Sequence, residues 1–278
     1  MINMIKADFY RIIRGVGIYI ALAVILAMIA LDIYSAEAGS VGVHVVSQVE
    51  IENELSGMTY EEINDLSMRD YREIRLESEN YQLDRDILAT NSNLYYVFIF
   101  AAAIAVTVDF SGSSIKNTLS SAINRGSYFL SKLVVIALCC LLLCVLNTYI
   151  MYFANIIFNG RNLASDIGTV TKITLIQLPP VLAFASILTG FAFALKRTAV
   201  YNAVTIPFLM LVQILESLLS VIFKIPNKVF DFELQTMMAK LAYEPSAEYI
   251  LKSYIVCAVI IIAFNLMGWL AFKKAEIR

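Results

Sequence analysis

The sequence predicts an all-α integral membrane protein with six transmembrane helices, an N-terminal interfacial helix, a cytosolic amphipathic helix and an extracellular helical segment. Three observations carry that prediction. Hydrophobic residues make up 59% of the 278 and charged residues 16%, with a mean hydropathy of +0.73, too apolar for an ordinary soluble domain. The apolar residues fall in six blocks long enough to approach the roughly 20 residues that a helix needs to cross ~30 Å of hydrocarbon. Lys and Arg also crowd one alternating set of loops, which is the pattern of cytosolic loops.

Residues 1–15 open the chain as an amphipathic helix: Ile2, Ile5, Phe9, Ile12 and Ile13 share one side, and Lys6, Asp8, Arg11 and Arg14 fall elsewhere. Such a helix lies in the inner membrane interface, and Gly15 and Gly17 allow a bend into the first span, 16–33. Small residues at Ser35-Ala36-Glu37-Ala38 would suit a cleaved signal, but the 18-residue apolar run exceeds the usual signal core and favours an anchor. The segment 34–92 carries 13 acidic residues against four arginines, a formal charge of about −9. Thr59-Tyr60-Glu61-Glu62 has a capping-box pattern, and Tyr60, Ile63, Tyr71, Ile74 and Tyr81 recur at helical spacing, so one or two extracellular helices are expected there. Its acidity serves solvation, or makes an attractive field for a cationic peptide or drug.

The second span, 93–108, is short. Between it and the third, 109–128 is polar and amphipathic: Ile115, Leu119, Ala122 and Ile123 recur at helical spacing, opposite Lys116, Asn117, Ser120, Ser121 and Asn124. The third span, 129–158, is long enough to begin as an interfacial turn holding Ser131 and Lys132. The fourth and fifth, 173–195 and 199–223, contain Pro179-Pro180 and Pro207, which remove backbone donors and should kink or break those helices. In the extracellular segment 224–253, Phe230, Leu234, Met237 and Leu241 repeat at helical spacing, so a helix there could dip back into the outer leaflet. The sixth span, 254–272, precedes a basic tail, 273–278.

A cytosolic N-terminus places eleven Lys and Arg inside (Lys6, Arg11, Arg14, Lys116, Arg125, Lys132, Lys196, Arg197, Lys273, Lys274 and Arg278), opposed by Asp8, Asp109 and Glu276 alone. The expected location is therefore the cell membrane, multi-pass, with both termini cytosolic.

Several chemistries are excluded at this level. The eleven glycines never give the G-x-x-x-x-G-K-[ST] spacing that cradles phosphates, so any ATP hydrolysis must come from another protein. His44 is the single histidine, and Cys139, Cys140, Cys144 and Cys257 all fall within spans, which argues against a metal or haem set and against extracellular disulfides. No clustered acids, His and Ser suggest an enzyme, and nothing suggests nucleic-acid binding. Glu216 is the costly residue, because a carboxylate within a span needs a cavity or a partner. Gln213, Glu216, Ser217 and Ser220 form a polar stripe on the fifth span, Asn202 and Thr205 extend it, and Asn147 and Asn155 add polar groups to the third. Such a stripe is either an interhelical seam or the wall of a translocation path.

The polar segment reads Ser113-Ser114-Ile115-Lys116-Asn117-Thr118-Leu119-Ser120, then Ile123-Asn124-Arg125 and Tyr128-Phe129-Leu130-Ser131-Lys132, and the chain ends in Lys273-Lys274-Ala275-Glu276-Ile277-Arg278. With the six-span pattern, these residues resemble the permease subunit of ATP-binding-cassette (ABC) transporters of the type-2 export family, including immunity and drug-export permeases. Ser replaces the family's usual Thr, Asn its usual Ser, and only Asp109 represents the acid before the glycine. The resemblance implies two permeases, identical or related, paired around a path in contact with membrane lipids. Two separate cytosolic ATPases would bind ATP and Mg, this chain holding no cofactor itself. It implies a coupling helix in which Ser114, Ile115, Lys116, Leu119 and Arg125 meet the ATPase, Ile115 and Leu119 facing its groove or the membrane edge. It also implies a path lined by the second and fifth spans, near Tyr95, Tyr96, Phe98, Gln213 and Glu216, for an amphiphilic cargo such as an antimicrobial peptide, drug or lipid. A membrane sensor or scaffold with a ligand-binding acidic segment and no transport is the alternative.

Overall fold

Long apolar runs can satisfy their own backbone N–H and C=O groups only by forming helices. The computed structural model describes residues 2–37, 88–111, 115, 124–159, 164–223, 231–243 and 246–274, and these are helical with no strand among them. In chain order the helices are α1 (Ile2–Arg14), α2 (Val16–Glu37), α3 (Asn91–Ser111), α4 (Arg125–Asn159), α5 (Ile167–Leu195), α6 (Thr198–Phe223), α7 (Leu234–Lys240) and α8 (Ala247–Lys273). Four of them, α3, α4, α5 and α8, are long and apolar enough to cross a membrane, or five spans if α1 and α2, bent by 62° at Gly15, count as one. In α6 the shorter stretch Thr198–Val212 is apolar. Helices of this number and length mark a membrane protein. Residues 38–87 of the acidic segment, the residues Ser114, Lys116 and Leu119, the side chains of Gln213 and Glu216, residues 224–230 and the tail from 275 lie outside the described residues.

The core lies between α5 and α8, which cross at a pair of glycines. A Cβ built on Gly268 would sit 3.0 Å from the Gly190 Cα, and one on Gly190 would sit 2.8 Å from the Phe264 carbonyl oxygen. Small residues let helices approach this closely where apolar burial alone cannot drive them together in lipid. On one side of the crossing Asn265 Nδ2 donates to Ser186 Oγ at 3.2 Å. On the other, Phe193 packs against Phe272 and Phe129 with ring centroids 5.0 and 4.8 Å apart.

The prolines do not break their helices: α5 continues through Pro179 and Pro180, as α6 does through Pro207. Pro180 cannot donate to the Ile176 carbonyl four residues back, and the Tyr254 hydroxyl of α8 donates to it instead, at 3.3 Å. Lys132 differs from expectation. It lies inside α4, which begins at Arg125, and is 2% exposed rather than placed in an interfacial turn.

The segment before α8 is held as a short helix. Glu233 caps α7 by accepting from the backbone N–H groups of Gln235 and Thr236 at 2.7 and 2.8 Å. Leu234, Met237 and Met238 are buried, so α7 is sunk into the bundle beside the start of α3.

Candidate functional site

Polar groups inside the bundle gather in two clusters, one at each end of α3. At its C-terminal end, four charged side chains from three helices meet. Lys132 Nζ of α4 donates to both carboxylate oxygens of Asp8 at 2.7 and 2.8 Å and approaches Asp109 Oδ2 of α3 at 2.6 Å. Arg11 of α1 pairs with Asp109 through Nη1 and with Asp8 through Nη2, the latter at 3.1 Å. The Tyr128 hydroxyl adds a bond to Asp109 Oδ2 at 2.8 Å. Two cations face two carboxylates, so the cluster, buried except for the partly exposed Arg11, is formally neutral, which is the condition under which ionised groups tolerate removal from water.

This ionic cluster coincides with an irregularity in α3. The helix runs as a 3₁₀ turn at Thr90–Leu94, α at Tyr95–Ala102, a π turn at Ala103–Thr107, and α again at Val108–Ser111. In the π turn the Val108 N–H donates to the Ala103 carbonyl, five residues back. Arg11 Nη2 donates to the Ile104 and Ala105 carbonyls, each at 3.2 Å. The Thr107 hydroxyl donates to Ala103 O at 2.8 Å and lies 3.0 Å from Thr198 Oγ1, and Ser111 Oγ lies 3.2 Å from Thr198 Oγ1, which ties α3 to the start of α6.

Arg125, on the far side of the polar segment, donates from Nη1 to the Lys273 carbonyl at 2.9 Å and lies 6.0 Å from the centre of the Phe272 ring. The polar segment is thus fastened at both ends, by Asp109 to α1 and α4 and by Arg125 to the end of α8. Ile115 is 3% exposed and packs in the chain's own core. That placement differs from a side chain turned to a partner's groove or the membrane edge: the apolar side chain gains by burial within its own chain.

At the other end of α3, Asn91 Nδ2 donates to Thr148 Oγ1 and Gln177 Oε1 at 3.0 and 3.1 Å, and Asn147 Nδ2 donates to Asn91 Oδ1 at 2.7 Å. Gln177 Nε2 in turn donates to the Leu88 and Met238 carbonyls at 3.2 and 2.9 Å, and the Tyr95 hydroxyl to Leu234 O at 2.9 Å. Four segments of chain are stitched together by amides. Burial pushes the Glu233 carboxyl above the usual carboxylate range, while the capping N–H groups of Thr236 and Gln235 pull it back.

Of the residues expected at a path, Tyr95, Tyr96 and Phe98 have described side chains. Tyr95 and Phe98 are fully buried; Tyr95 stacks on Phe184 of α5 with centroids 4.0 Å apart, and Phe98 lies 6.3 Å from the same ring. Tyr96 is half-buried. Asn147 joins the amide cluster, whereas Gln213 and Glu216 have no described side chains. Among the described residues no group of three or more His, Cys, Asp and Glu could hold a metal ion, and the four cysteines are buried free thiols.

Sequence reasoning placed Asp8 and Arg11 on the polar side of the first helix, Asp109 before the polar segment and Lys132 in an interfacial turn, but did not bring the four together. The available signal was that acids and bases standing at span ends or within apolar runs need partners.

A family model described as "Protein of unknown function (DUF2705)" matches residues 78–278. No curated protein matches the chain, and no solved structure does.

Proposed function

We propose a function for a chain that belongs to the family described as protein of unknown function (DUF2705): it is the permease subunit of an ABC exporter that moves an amphiphilic cargo and is driven by a separate cytosolic ATPase. The observation that carries the reading is the anchorage of the polar segment between α3 and α4. A partner that pushes on such a segment does work on the spans only if its ends cannot swivel. Here one end is held by a buried ionic cluster and the other by an arginine bonded to the end of α8.

In this reading α2, α3, α4, α5, α6 and α8 are six spans of a cell-membrane protein, α1 lies at the cytosolic face, and both termini are cytosolic. The ATPase binds ATP and Mg and docks on the segment through Ser114, Lys116 and Leu119. Ile115 braces the segment against the bundle, and Arg125 fixes its exit. A second permease copy, or a related permease, completes the path. Tyr95 and Phe98 are used in packing, so contact with cargo falls to Gln213 and Glu216.

Purification of the full-length chain from native membranes in mild detergent, followed by mass spectrometry, tests this reading. It expects a P-loop ATPase near one-to-one stoichiometry that is lost from a Lys116→Glu/Leu119→Asp variant which still elutes as a folded particle. A chain that never carries an ATPase points instead to a sensor or scaffold.

A further inference from the structure

The π turn in α3 and the guanidinium that grips it form a unit that reaches beyond the transport reading and holds whether or not the chain transports anything. A π turn accommodates one residue more than an α-helical turn, and it leaves carbonyls without the N–H groups they would otherwise receive. In α3 the Ile104 and Ala105 carbonyls receive Arg11 of α1. The same guanidinium is paired with Asp109, one turn beyond the bulge, and with Asp8 on its own helix. Arg11 therefore bonds the bulge and the segment that the bulge re-aims, while its own Cα belongs to a different helix.

We propose that Ala103–Thr107 is a two-register hinge that Arg11 holds in its bulged state, so that docking of α1 sets the rotation of the last turn of α3. If α1 withdraws, the two carbonyls lose their charged donors and the turn gains by migrating or closing into α-helical bonding. Losing one residue from the bulge rotates Val108–Ser111 by about 100° relative to the rest of α3, since successive helical residues are about 100° apart. Asp109 then leaves Lys132 and Tyr128, and Ser111 leaves Thr198. Docking of α1 thus acts as a latch on the last turn of α3.

Ser111 and Thr198 supply the readout, because their hydroxyl oxygens are 3.2 Å apart in the bulged register. The full-length S111C/T198C chain in lipid nanodiscs, with its buried native cysteines left in place, should form an intramolecular disulfide readily under mild oxidation, scored by mass spectrometry. Adding Arg11→Gln removes charge-assisted bonds and should slow cross-linking about tenfold or more. Deleting Ala105 as well removes the surplus residue, leaves both flanks of α3 in place without needing Arg11, and should restore cross-linking to near the parent rate. Undiminished cross-linking with Arg11→Gln alone would overturn the hinge. So would failure of the deletion to restore it in a variant of unchanged helical circular dichroism, since α1 docking rather than register would then position Ser111.

Discussion

Replacing Gly268 by alanine puts a methyl group where α5 and α8 leave no room. Its Cβ would lie 3.0 Å from Gly190 Cα and 3.5 Å from Phe129 Cε2. Ordinary carbon–carbon contacts are about 3.5–4.0 Å, and the first obstacle is backbone, so the helices have to part by roughly half an ångström at their crossing. Overpacking of this kind costs about 1–3 kcal/mol, while alanine gains up to about 1 kcal/mol over glycine in helix propensity. The net loss expected for Gly268→Ala is thus about 1–2 kcal/mol. Gly190→Ala should lose more, because its Cβ would meet the Phe264 carbonyl oxygen at 2.8 Å and Met267 Cε at 3.0 Å. The two substitutions crowd the same crossing, so the cost of the double variant should differ from the sum. Gly126→Ala is the control: its nearest neighbours would be at 3.6 and 3.8 Å, ordinary contact, and it should be neutral or slightly stabilising. Thermal unfolding of the full-length chain in detergent, followed by fluorescence-detected size exclusion, reads all four. Gly190→Ala and Gly268→Ala proteins as stable as the parent would refute the crossing, as would an equal loss in Gly126→Ala.

Three further outcomes follow from the polar clusters. Lys132→Met leaves Asp8 and Asp109 facing one remaining cation in a buried site and should cost about 3–5 kcal/mol in the same assay, with Asp8→Asn/Lys132→Met recovering part of it; equal stability of all three would remove the ionic cluster from the account. Gln177→Leu removes the side-chain donor to the Leu88 and Met238 carbonyls and the acceptor of Asn91, should cost about 1–3 kcal/mol, and should speed proteolysis around α7 while leaving the α1 end unchanged. Glu233 has a raised pKa in the folded chain, so its protonated form is the one folding favours: that contribution is present below the unfolded carboxylate pKa and fades as pH rises through the folded value. Hydrogen exchange in α7 should accordingly quicken as pH climbs through and above the carboxylate range, after correction for intrinsic rates, and Glu233→Gln should flatten that dependence.

Hydropathy made the membrane class and the apolar helices visible, because a span's length and composition are local properties. The bend at Gly15 and the buried repeat of Leu234, Met237 and Leu241 were legible for the same reason, being written in nearby residues. What stayed hidden was long-range. Asp8 meets Lys132 across 124 residues and Arg11 meets Asp109 across 98, and no periodicity within α1 or α4 points to the other. Lys132 looked interfacial because a lone lysine in a span is costly, yet two carboxylates from other helices offset that cost. The π turn was invisible because Ala103–Thr107 carries no residue that breaks a helix; its bonding depends on Arg11 arriving from α1. Tyr95 and Phe98 were expected at a path only because the family resemblance implies that the second span lines one. Phe184, 86 positions beyond Phe98, decides for the core.

The central claim is that the polar segment between α3 and α4 is the docking site of a cytosolic ATPase. A photo-crosslinking amino acid placed at Lys116, and in a second chain at Leu119, tests it in native membranes without disturbing the buried Ile115. The account predicts a single dominant adduct containing a P-loop ATPase, formed from both positions and changed in yield by ATP. Adducts to lipid alone, or to proteins without a nucleotide-binding motif, from a correctly folded and inserted chain would contradict it.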